Sequence, residues 1–375
     1  MKKIFYIAAI LSVVFLVESC HGDYRASAIG PKNQIIVIMD STQWHSKTAN
    51  AIRTVYGRSI KTIPRWQALY DLKFRDFKTD SQLNQLKKYK NIIIAAPISD
   101  SSNTATYIRA LLSDSVRHAV EQGKYFAFPL KNQWYRNQSA VILTSTSDSV
   151  LAQKILNAKN TLPKQFLKRT LQRYKQQIYH LGEKTAIEDS LWKEHGWKIR
   201  VEHDWYVHID TSITQKNGAH TGFLTMRRNL SQNRRWFWAW WTDSPPPQDS
   251  LTPKWINQTR DSLMKKYIRG TRDSSYVTTD YKHFPVKTDT VTLDDGHTAY
   301  ETRGVWHMTH GAMGGPFVNM AIYDKYTGRL FLLEFGQFAP KYRKRRFVRE
   351  FQAMLLTFQS DSTWNQKKKT SNTAK

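Results

Sequence analysis

The chain has 375 residues, with 57 Lys and Arg against 30 Asp and Glu, so its formal net charge at pH 7 is +27. A single cysteine excludes an intramolecular disulfide. A chain of this length does not need one, because domains above ~150 residues bury enough apolar surface to fold unaided.

The first twenty residues predict an export signal. Lys2 and Lys3 precede an apolar run, Ile4 to Val17, of about 14 residues. Such a run fits the apolar region of a signal peptide and is shorter than the roughly 20 residues that a helix needs to span a bilayer. The following residues, Val17 to Cys20, resemble the lipobox of bacterial lipoproteins. The resemblance implies cleavage after residue 19 and attachment of lipid to the Cys20 thiol.

A lipid on Cys20 implies that the membrane is a partner of this protein, through an acyl anchor of the palmitate type. It also excludes this thiol as a nucleophile or a metal ligand. His21 follows the cysteine, so the Asp that retains lipoproteins in the inner membrane of enteric bacteria is absent, and the outer membrane is preferred. An ordinary secreted protein with a free thiol and an uncleaved N-terminal anchor are the alternatives.

The basic residues are widely spread along the chain, which favours charge that is simply solvated at the surface over a binding site for anions. Basic proteins bind nucleic acid by releasing phosphate counterions, but an exported protein meets little nucleic acid, so we expect none as a partner. The envelope offers phospholipid headgroups, lipopolysaccharide phosphates and acidic glycans instead. One local cluster, in residues 341–346, supplies four binding candidates: Arg343, Lys344, Arg345 and Arg346. An anionic partner in the envelope is the alternative to solvated surface charge.

The first part of the mature chain predicts an α/β domain over residues 34–160. It follows a tether at residues 20–33. Compact apolar runs are typical of strands buried in a sheet, and they occur at 34–40, 91–97, 124–129 and 139–144. Helices are predicted between them at 43–56, 104–120 and 148–158. This alternation of strand and helix favours a sheet with parallel strands.

The second part changes character after a connecting amphipathic helix at residues 161–196. Aromatic-rich strands are predicted at 197–201, 205–209, 222–227, 235–241, 297–307, 317–323 and 329–338. With helices at 255–267 and 345–358, they predict an α+β domain over 197–360, a mainly antiparallel sheet with helices packed on one side. Residues 361–375 are predicted to be a disordered basic tail.

Several stretches carry a resemblance to a known family. They are IIVIMDSTQW, KNIIIAAP, FWAWW, ETRGVW and MGGPFVNMAIYD. The chain resembles, over nearly all of its mature length, an uncharacterised lipoprotein family of Bacteroidota named domain of unknown function 4837. The resemblance implies an envelope lipoprotein and supplies no activity, cofactor or catalytic residue, so no cofactor is expected. The C-terminal strand order is also similar to the small PsbP-like sandwiches, an analogy of fold alone.

Two groups of side chains are candidates for chemistry. Glu202, Asp204, His208 and Asp210 share one face of a predicted strand, with His203 opposite. A Zn²⁺ ion needs three or four ligands at fixed geometry; the spacing here matches no established metal motif, and no metal site is predicted. The histidines His203, His208 and His307 are the candidate catalytic residues for a periplasmic hydrolase, although no G-x-S-x-G elbow occurs.

The tryptophans of the 235–241 strand are the second group. Trp236, Trp238 and Trp240 alternate along the chain, so in a strand they point to one face. Such a row could stack against sugar rings, or it could fill a core, and the core is favoured. We therefore predict a lipid-anchored envelope protein that binds rather than catalyses, with an envelope protein, an acidic glycan or a membrane surface as partner. A periplasmic hydrolase is the alternative.

Overall fold

The computed structural model describes residues 24–214, 219–271 and 274–365. The predicted signal peptide, Cys20 and the last ten residues of the predicted tail lie outside these ranges. The chain divides into two compact units. The first contains the residues up to Val55 and Asp71–Arg169, and the second contains Tyr56–Tyr70 and the chain from Thr170 onward.

The first unit contains a five-stranded sheet. Its strands are β1 (Gln34–Ile38), β2 (Asp71–Arg75), β3 (Asn91–Ala95), β4 (Ala127–Lys131) and β5 (Ser139–Leu143), in the order β2-β1-β3-β5-β4. All neighbours are parallel except β4, which is antiparallel to β5. Every residue of β3 and β5 is buried, as expected for parallel strands covered on both faces.

Six α-helices begin within residues 24–169. They are α1 (Lys47–Tyr56), α2 (Asp80–Leu86), α3 (Asn103–Leu111), α4 (Asp114–Glu121), α5 (Asp148–Asn157) and α6 (Leu162–Ile178). Serines cap two of them: Ser102 accepts a hydrogen bond from the Ala105 amide, and Ser147 accepts one from the Val150 amide. The single helix predicted at 104–120 is wrong, because the backbone is extended at Leu112 and Ser113.

The connecting helix predicted at 161–196 is also interrupted. After α6, a 3₁₀ turn leads to Gly182, whose φ of 109° cannot continue a right-handed helix. A separate helix, α7 (Thr185–His195), follows and ends at Gly196 in the left-handed conformation. The apolar spacing of residues 166–178 predicts α6 but carries no information about this break.

The second unit contains a curled antiparallel sheet. Its strands are β7 (Tyr206–Thr214), β8 (His220–Leu230), β9 (Asn233–Thr242), β10 (Val277–Thr279), β11 (Lys287–Thr292), β12 (Thr298–Met308), β13 (Gly314–Asp324) and β14 (Arg329–Phe338). The order is β10-β12-β13-β14-β9-β8-β7, and β11 also pairs with β12. A separate short pair joins β6 (Trp197–Lys198) to β15 (Gln359–Ser360).

Two helices pack on the central strands of this sheet. From α8 (Pro253–Tyr267), Ile256 and Met264 join a buried cluster with Trp238 of β9. From α9 (Arg345–Leu355), Phe351 stacks on Phe335 of β14 with ring centroids 5.3 Å apart. The predicted fold class is confirmed: an α/β region with a parallel sheet, followed by a mainly antiparallel sheet with packed helices.

Two further predictions concern the membrane and the tail. Within the described ranges, no helix is both long enough and apolar enough to cross a membrane. The start of the predicted tail is not disordered, since the Asp361 amide donates a hydrogen bond to the Gly196 carbonyl. The ring of Trp364 also packs on Gly196, where an added Cβ would be 2.3 Å from it.

Candidate functional site

The three alternating tryptophans of β9 lie on one face of the sheet but differ in burial. Trp238 is completely buried beneath α8, whereas Trp236 and Trp240 are half-buried at the margin of the same cluster. Gly336 of β14 pairs with Trp236, and a Cβ at Gly336 would lie 2.4 Å from the indole. Because Gly336 has no side chain, the indole of Trp236 can lie over this position of the sheet.

A cavity of about 560 Å³ opens beside Trp236, where the chain leaves α8 and where strands β8, β12 and β14 end. Its floor is apolar. Trp306 of β12 meets Trp236 edge to face with ring centroids 4.7 Å apart, and the Trp306 Nε1–H donates a hydrogen bond to the Gln337 carbonyl. The remaining apolar lining is Ile268, Val277, Met308, Met313 and Phe338.

Arginines form part of the rim of this cavity. Arg227 pairs with Trp236 across β8 and β9, and Arg234 pairs with Asn229, so both arginines lie on the Trp236 face. Both side chains are exposed, and neither has a hydrogen bond or an ion pair with another described residue. The described lining includes Arg269 and His310 but no carboxylate.

This arrangement suits an anionic ligand with a ring. A guanidinium can form two parallel hydrogen bonds to a carboxylate or phosphate, while indole faces offer a flat apolar surface to a ring. The volume lies within the usual ~300–1,000 Å³ of small-ligand pockets. Arginines without carboxylate partners also make the local potential positive, which raises the local concentration of anions.

The predicted basic cluster at residues 341–346 is used largely for structure. Lys344 is buried and donates to the carbonyls of Ala339 and Tyr342. Burial and, to a smaller extent, the nearby charge of Arg65 together lower the pKa of Lys344 to about 8. The other candidates differ in exposure and partner: Arg345 donates to the Ala68 carbonyl (2.7 Å), Arg346 pairs with Glu350 (2.6 Å), and Arg343 is exposed.

The three candidate histidines do not line the described walls of this cavity. His203 is half-buried before β7, His208 is exposed on β7, and His307 is half-buried near the end of β12. Four strands lie between β7 and β12 in the sheet, so His307 does not share a strand pair with the other two. The Nδ1 atom of His307 lies 3.0 Å from the Met308 carbonyl oxygen.

One of the carboxylate groups considered for metal binding is instead a salt-bridge cluster. Glu202, His203 and Asp204 bring potential ligand atoms within 4.8 Å of one another. The guanidinium of Arg228 donates to Glu202 (2.8 Å) and to Asp204 (2.7 Å). Burial raises the pKa of Glu202, and the charge of Arg228 opposes that rise. The single guanidinium of Arg228 therefore occupies the position between the two carboxylates that a metal ion would need.

The other two residues of the predicted row, His208 and Asp210, do not join this salt-bridge cluster. Asp210 lies 3.0 Å from the Nε2 atom of His195. His208 falls at an irregularity in the pairing of β7 with β8, between Val207 and Ile209. The structure thus keeps Glu202, His203 and Asp204 together and gives Asp210 a different partner, so the predicted row of four on one face does not form.

Sequence reasoning found one wall of the cavity and missed the rest. The alternation of tryptophans pointed to Trp236, but Trp306, Arg227 and Arg234 were not predicted. The pairing of β8 with β9 places Arg227 beside Trp236, whereas Trp306 lies on β12, which pairs with neither strand. That pairing is a tertiary feature, because neither strand's own pattern specifies its partner.

Comparisons with known families match two domains of unknown function and supply no activity. Residues 184–357 match the model of a domain of unknown function (DUF4837), and residues 28–179 match that of a second domain of unknown function (DUF8532). The predicted resemblance is confirmed for the C-terminal part of the chain, which contains every lining residue of the cavity. No curated protein matches the chain.

Proposed function

We propose that this protein is a non-enzymatic binding component of the cell envelope, and that the cavity beside Trp236 and Trp306 takes an acidic glycan. The observation that carries the proposal is the combination of an aromatic floor with two rim arginines, Arg227 and Arg234, that have no side-chain partner among the described residues.

Each part of the cavity has a role in this proposal. The apolar C–H face of a sugar ring packs on the Trp236 side of the floor, since aromatic rings offer a large, rigid contact surface. A carboxylate or phosphate on the sugar then accepts hydrogen bonds from Arg227 and Arg234, which are stronger than bonds between neutral groups. A neutral sugar gains only the first of these interactions, so the charge provides the selectivity.

The envelope location is part of the same proposal. It is supported by the apolar run that ends at Val17 and by Cys20, the only cysteine of the chain. The proposed anchor contains two or three acyl chains, which hold a protein firmly where a single chain does not. The test is metabolic labelling with palmitate of the wild type and of Cys20→Ala. Equal labelling of the two chains would refute the anchor.

The glycan site is tested by calorimetry with oligosaccharides that carry glucuronate, galacturonate or phosphate, with neutral dextran oligomers as the comparison. The double substitution Arg227→Gln/Arg234→Gln should weaken binding of the acidic oligomers by at least about tenfold, because each charge-assisted bond contributes roughly 1.5–3 kcal/mol. The matched control is Lys164→Gln/Lys168→Gln, which removes two exposed charges from α6. It should change affinity less than about twofold, as ordinary surface substitutions do.

The recovered oligosaccharide separates binding from catalysis. Mass spectrometry after incubation should return each oligomer intact. Shortened or de-esterified products that depend on His203, His208 or His307 would replace the binding proposal with the hydrolase alternative. Equal binding of neutral and acidic oligomers would show that the arginines have no part in recognition.

A further inference from the structure

A second surface of the C-terminal unit carries exposed aromatic and cationic side chains away from the cavity lining. Residues 58–69 form a hairpin-like loop in which Ser59 pairs with Ala68 and the Ile60 amide donates to the Gln67 carbonyl. The tip of the loop presents Arg65 and Trp66. Trp66 is 73% exposed, and its ring contacts no other ring among the described residues.

The start of α9 holds this loop in place. The Arg345 amide donates to Gln67 Oε1 (3.1 Å), and the Arg345 guanidinium donates to the Ala68 carbonyl (2.7 Å). These two bonds bring the tip of the loop next to the chain that precedes α9. Six exposed side chains from the two segments make up what we call the basic aromatic patch: Lys61, Arg65, Trp66, Lys341, Tyr342 and Arg343.

The patch has an unusual charge. Residues 57–69 contain three cations and residues 339–346 contain five, and neither segment contains an Asp or Glu. Within the described chain, none of the four cations of the patch has a carboxylate partner. The neighbouring helix adds to the imbalance, because α9 begins at Arg345 with no acidic residue in its first turn. A helix N-terminus carries partial positive charge, so cations there oppose stability.

We propose that the basic aromatic patch docks on the anionic phospholipid headgroups of a membrane surface. The side chains match that surface in two ways. Tryptophan and tyrosine favour the membrane–water interface, where the ring meets the apolar boundary and the polar atom stays hydrated. Lysine and arginine gain from the negative surface potential of anionic lipids. A headgroup phosphate also relieves the repulsion among the cations that gather at the start of α9.

A membrane fits this patch better than the glycan proposed for the cavity. Trp66 stands out from the surface rather than forming the floor of a concavity, so a single sugar could cover only one face of it. A bilayer instead receives the whole ring, while the flanking cations reach phosphates on either side. This inference does not depend on the glycan site, and the two use different residues.

The first test measures partition of the mature chain, residues 20–375 with Cys20→Ala so that neither the signal peptide nor a lipid contributes, into vesicles of phosphatidylcholine with and without 30% phosphatidylglycerol. Anionic lipid should raise the partition coefficient. Arg65→Gln/Arg343→Gln should lower it about 25-fold, since each cation near an anionic surface contributes about a fivefold factor. The control Lys164→Gln/Lys168→Gln should lower it less than twofold. Equal losses in the two double variants, or equal binding to both kinds of vesicle, would overturn the proposal.

The second test locates Trp66 itself. Vesicles that contain brominated acyl chains quench the fluorescence of tryptophans that enter the bilayer boundary, and wild type should lose a fraction of its emission that Trp66→Phe does not lose. Identical quenching of the two chains would show that Trp66 stays in water. Circular dichroism and thermal unfolding confirm that each variant is folded, as expected for substitutions at exposed positions. Calorimetry with the acidic oligomers should be unchanged by the patch substitutions.

Discussion

Arg260 and Glu334 form an ion pair that is completely buried between α8 and β14. The Nε atom of Arg260 donates to Oε2 of Glu334 (2.7 Å), and Nη2 donates to Oε1 (2.8 Å). Both side chains have zero exposure. The guanidinium also lies 3.9 Å from the ring of Phe317 and donates to Thr279. This pair therefore links the helix that borders the cavity to the central strands of the sheet.

Removing one partner of this pair should be far more damaging than removing both. Glu334→Gln removes the buried counter-ion of Arg260 and leaves only Asp261, whose Oδ1 lies 2.9 Å from Nη1, and we expect a loss of about 3–5 kcal/mol in the free energy of unfolding. The double substitution Arg260→Met/Glu334→Leu should lose clearly less, because no fully buried charge is left without a counter-ion and Asp261, which also loses Arg260, is partly exposed. Urea unfolding followed by circular dichroism measures both values. A double variant as unstable as Glu334→Gln would show that the pair itself stabilises the fold.

Gly336→Ala should damage the cavity through Trp236. The added methyl would lie 2.4 Å from the indole, so the ring must move from the cavity floor. We expect a destabilisation of about 1–3 kcal/mol, typical of overpacking, together with a loss of affinity for acidic oligosaccharides of at least about tenfold if the ring supplies a stacking contact. Calorimetry and thermal unfolding measure the two effects separately.

Gly222→Ala is the matched control for that substitution. It would place a methyl 2.0 Å from the ring of Trp241, a residue that does not line the cavity. Its stability should fall by a similar amount, while the affinity of the folded protein for the oligosaccharides stays within about twofold of wild type. Parallel losses of affinity in both glycine variants would mean that Trp236 has no specific role.

Much of the fold is predictable where burial dominates the local pattern. The runs that form β1, β3 and β5 are apolar because both faces are covered, and they were predicted within a few residues. The strand β11, KTDTVT, was missed. Its residues are largely polar, and it exists because it pairs along β12. Such an edge strand is specified by its neighbour rather than by its own hydrophobicity.

The site was less predictable, for a physical reason. Alternation shows that Trp236 and Trp238 share a face, but only the position of α8 decides that one is covered and the other reaches a cavity. The basic run predicted four residues for binding anions, but two of them, Lys344 and Arg345, donate hydrogen bonds to backbone carbonyls instead. Trp66 escaped notice because a lone aromatic in a loop carries no period.

Arg329 should be essential to the stability of the C-terminal unit. Its guanidinium donates to the carbonyls of His195 and Gly196, each at 2.7 Å, and so satisfies the end of α7. Arg329→Gln cannot reach both oxygens with charge-assisted bonds, and we expect a loss of about 2–4 kcal/mol in the free energy of unfolding. Arg329→Lys should recover only part of it, because an ammonium lacks the planar fork. Full recovery by lysine would contradict the role of the fork.

The lowered pKa of Lys344 should make the free energy of unfolding rise with pH in the alkaline range. Burial lowers the pKa of Lys344 to about 8, whereas the unfolded chain has the ordinary value of 10.5. Between these values the unfolded state binds more protons than the folded state, so stability rises as pH increases. Lys344 should therefore add on the order of 2 kcal/mol to the free energy of unfolding between pH 7.5 and pH 10.

Lys344→Met isolates this contribution, since methionine keeps the apolar stem and does not titrate. The other ionisable groups change equally in both chains, so the difference between their urea unfolding curves reports residue 344 alone. We expect wild type to gain about 2 kcal/mol relative to Lys344→Met over this pH range. Parallel profiles would mean that hydrogen bonds to the carbonyls of Ala339 and Tyr342 offset the cost of burying the ammonium. Anionic vesicles should reduce the difference, because a headgroup near Arg65 and Lys344 favours the protonated form.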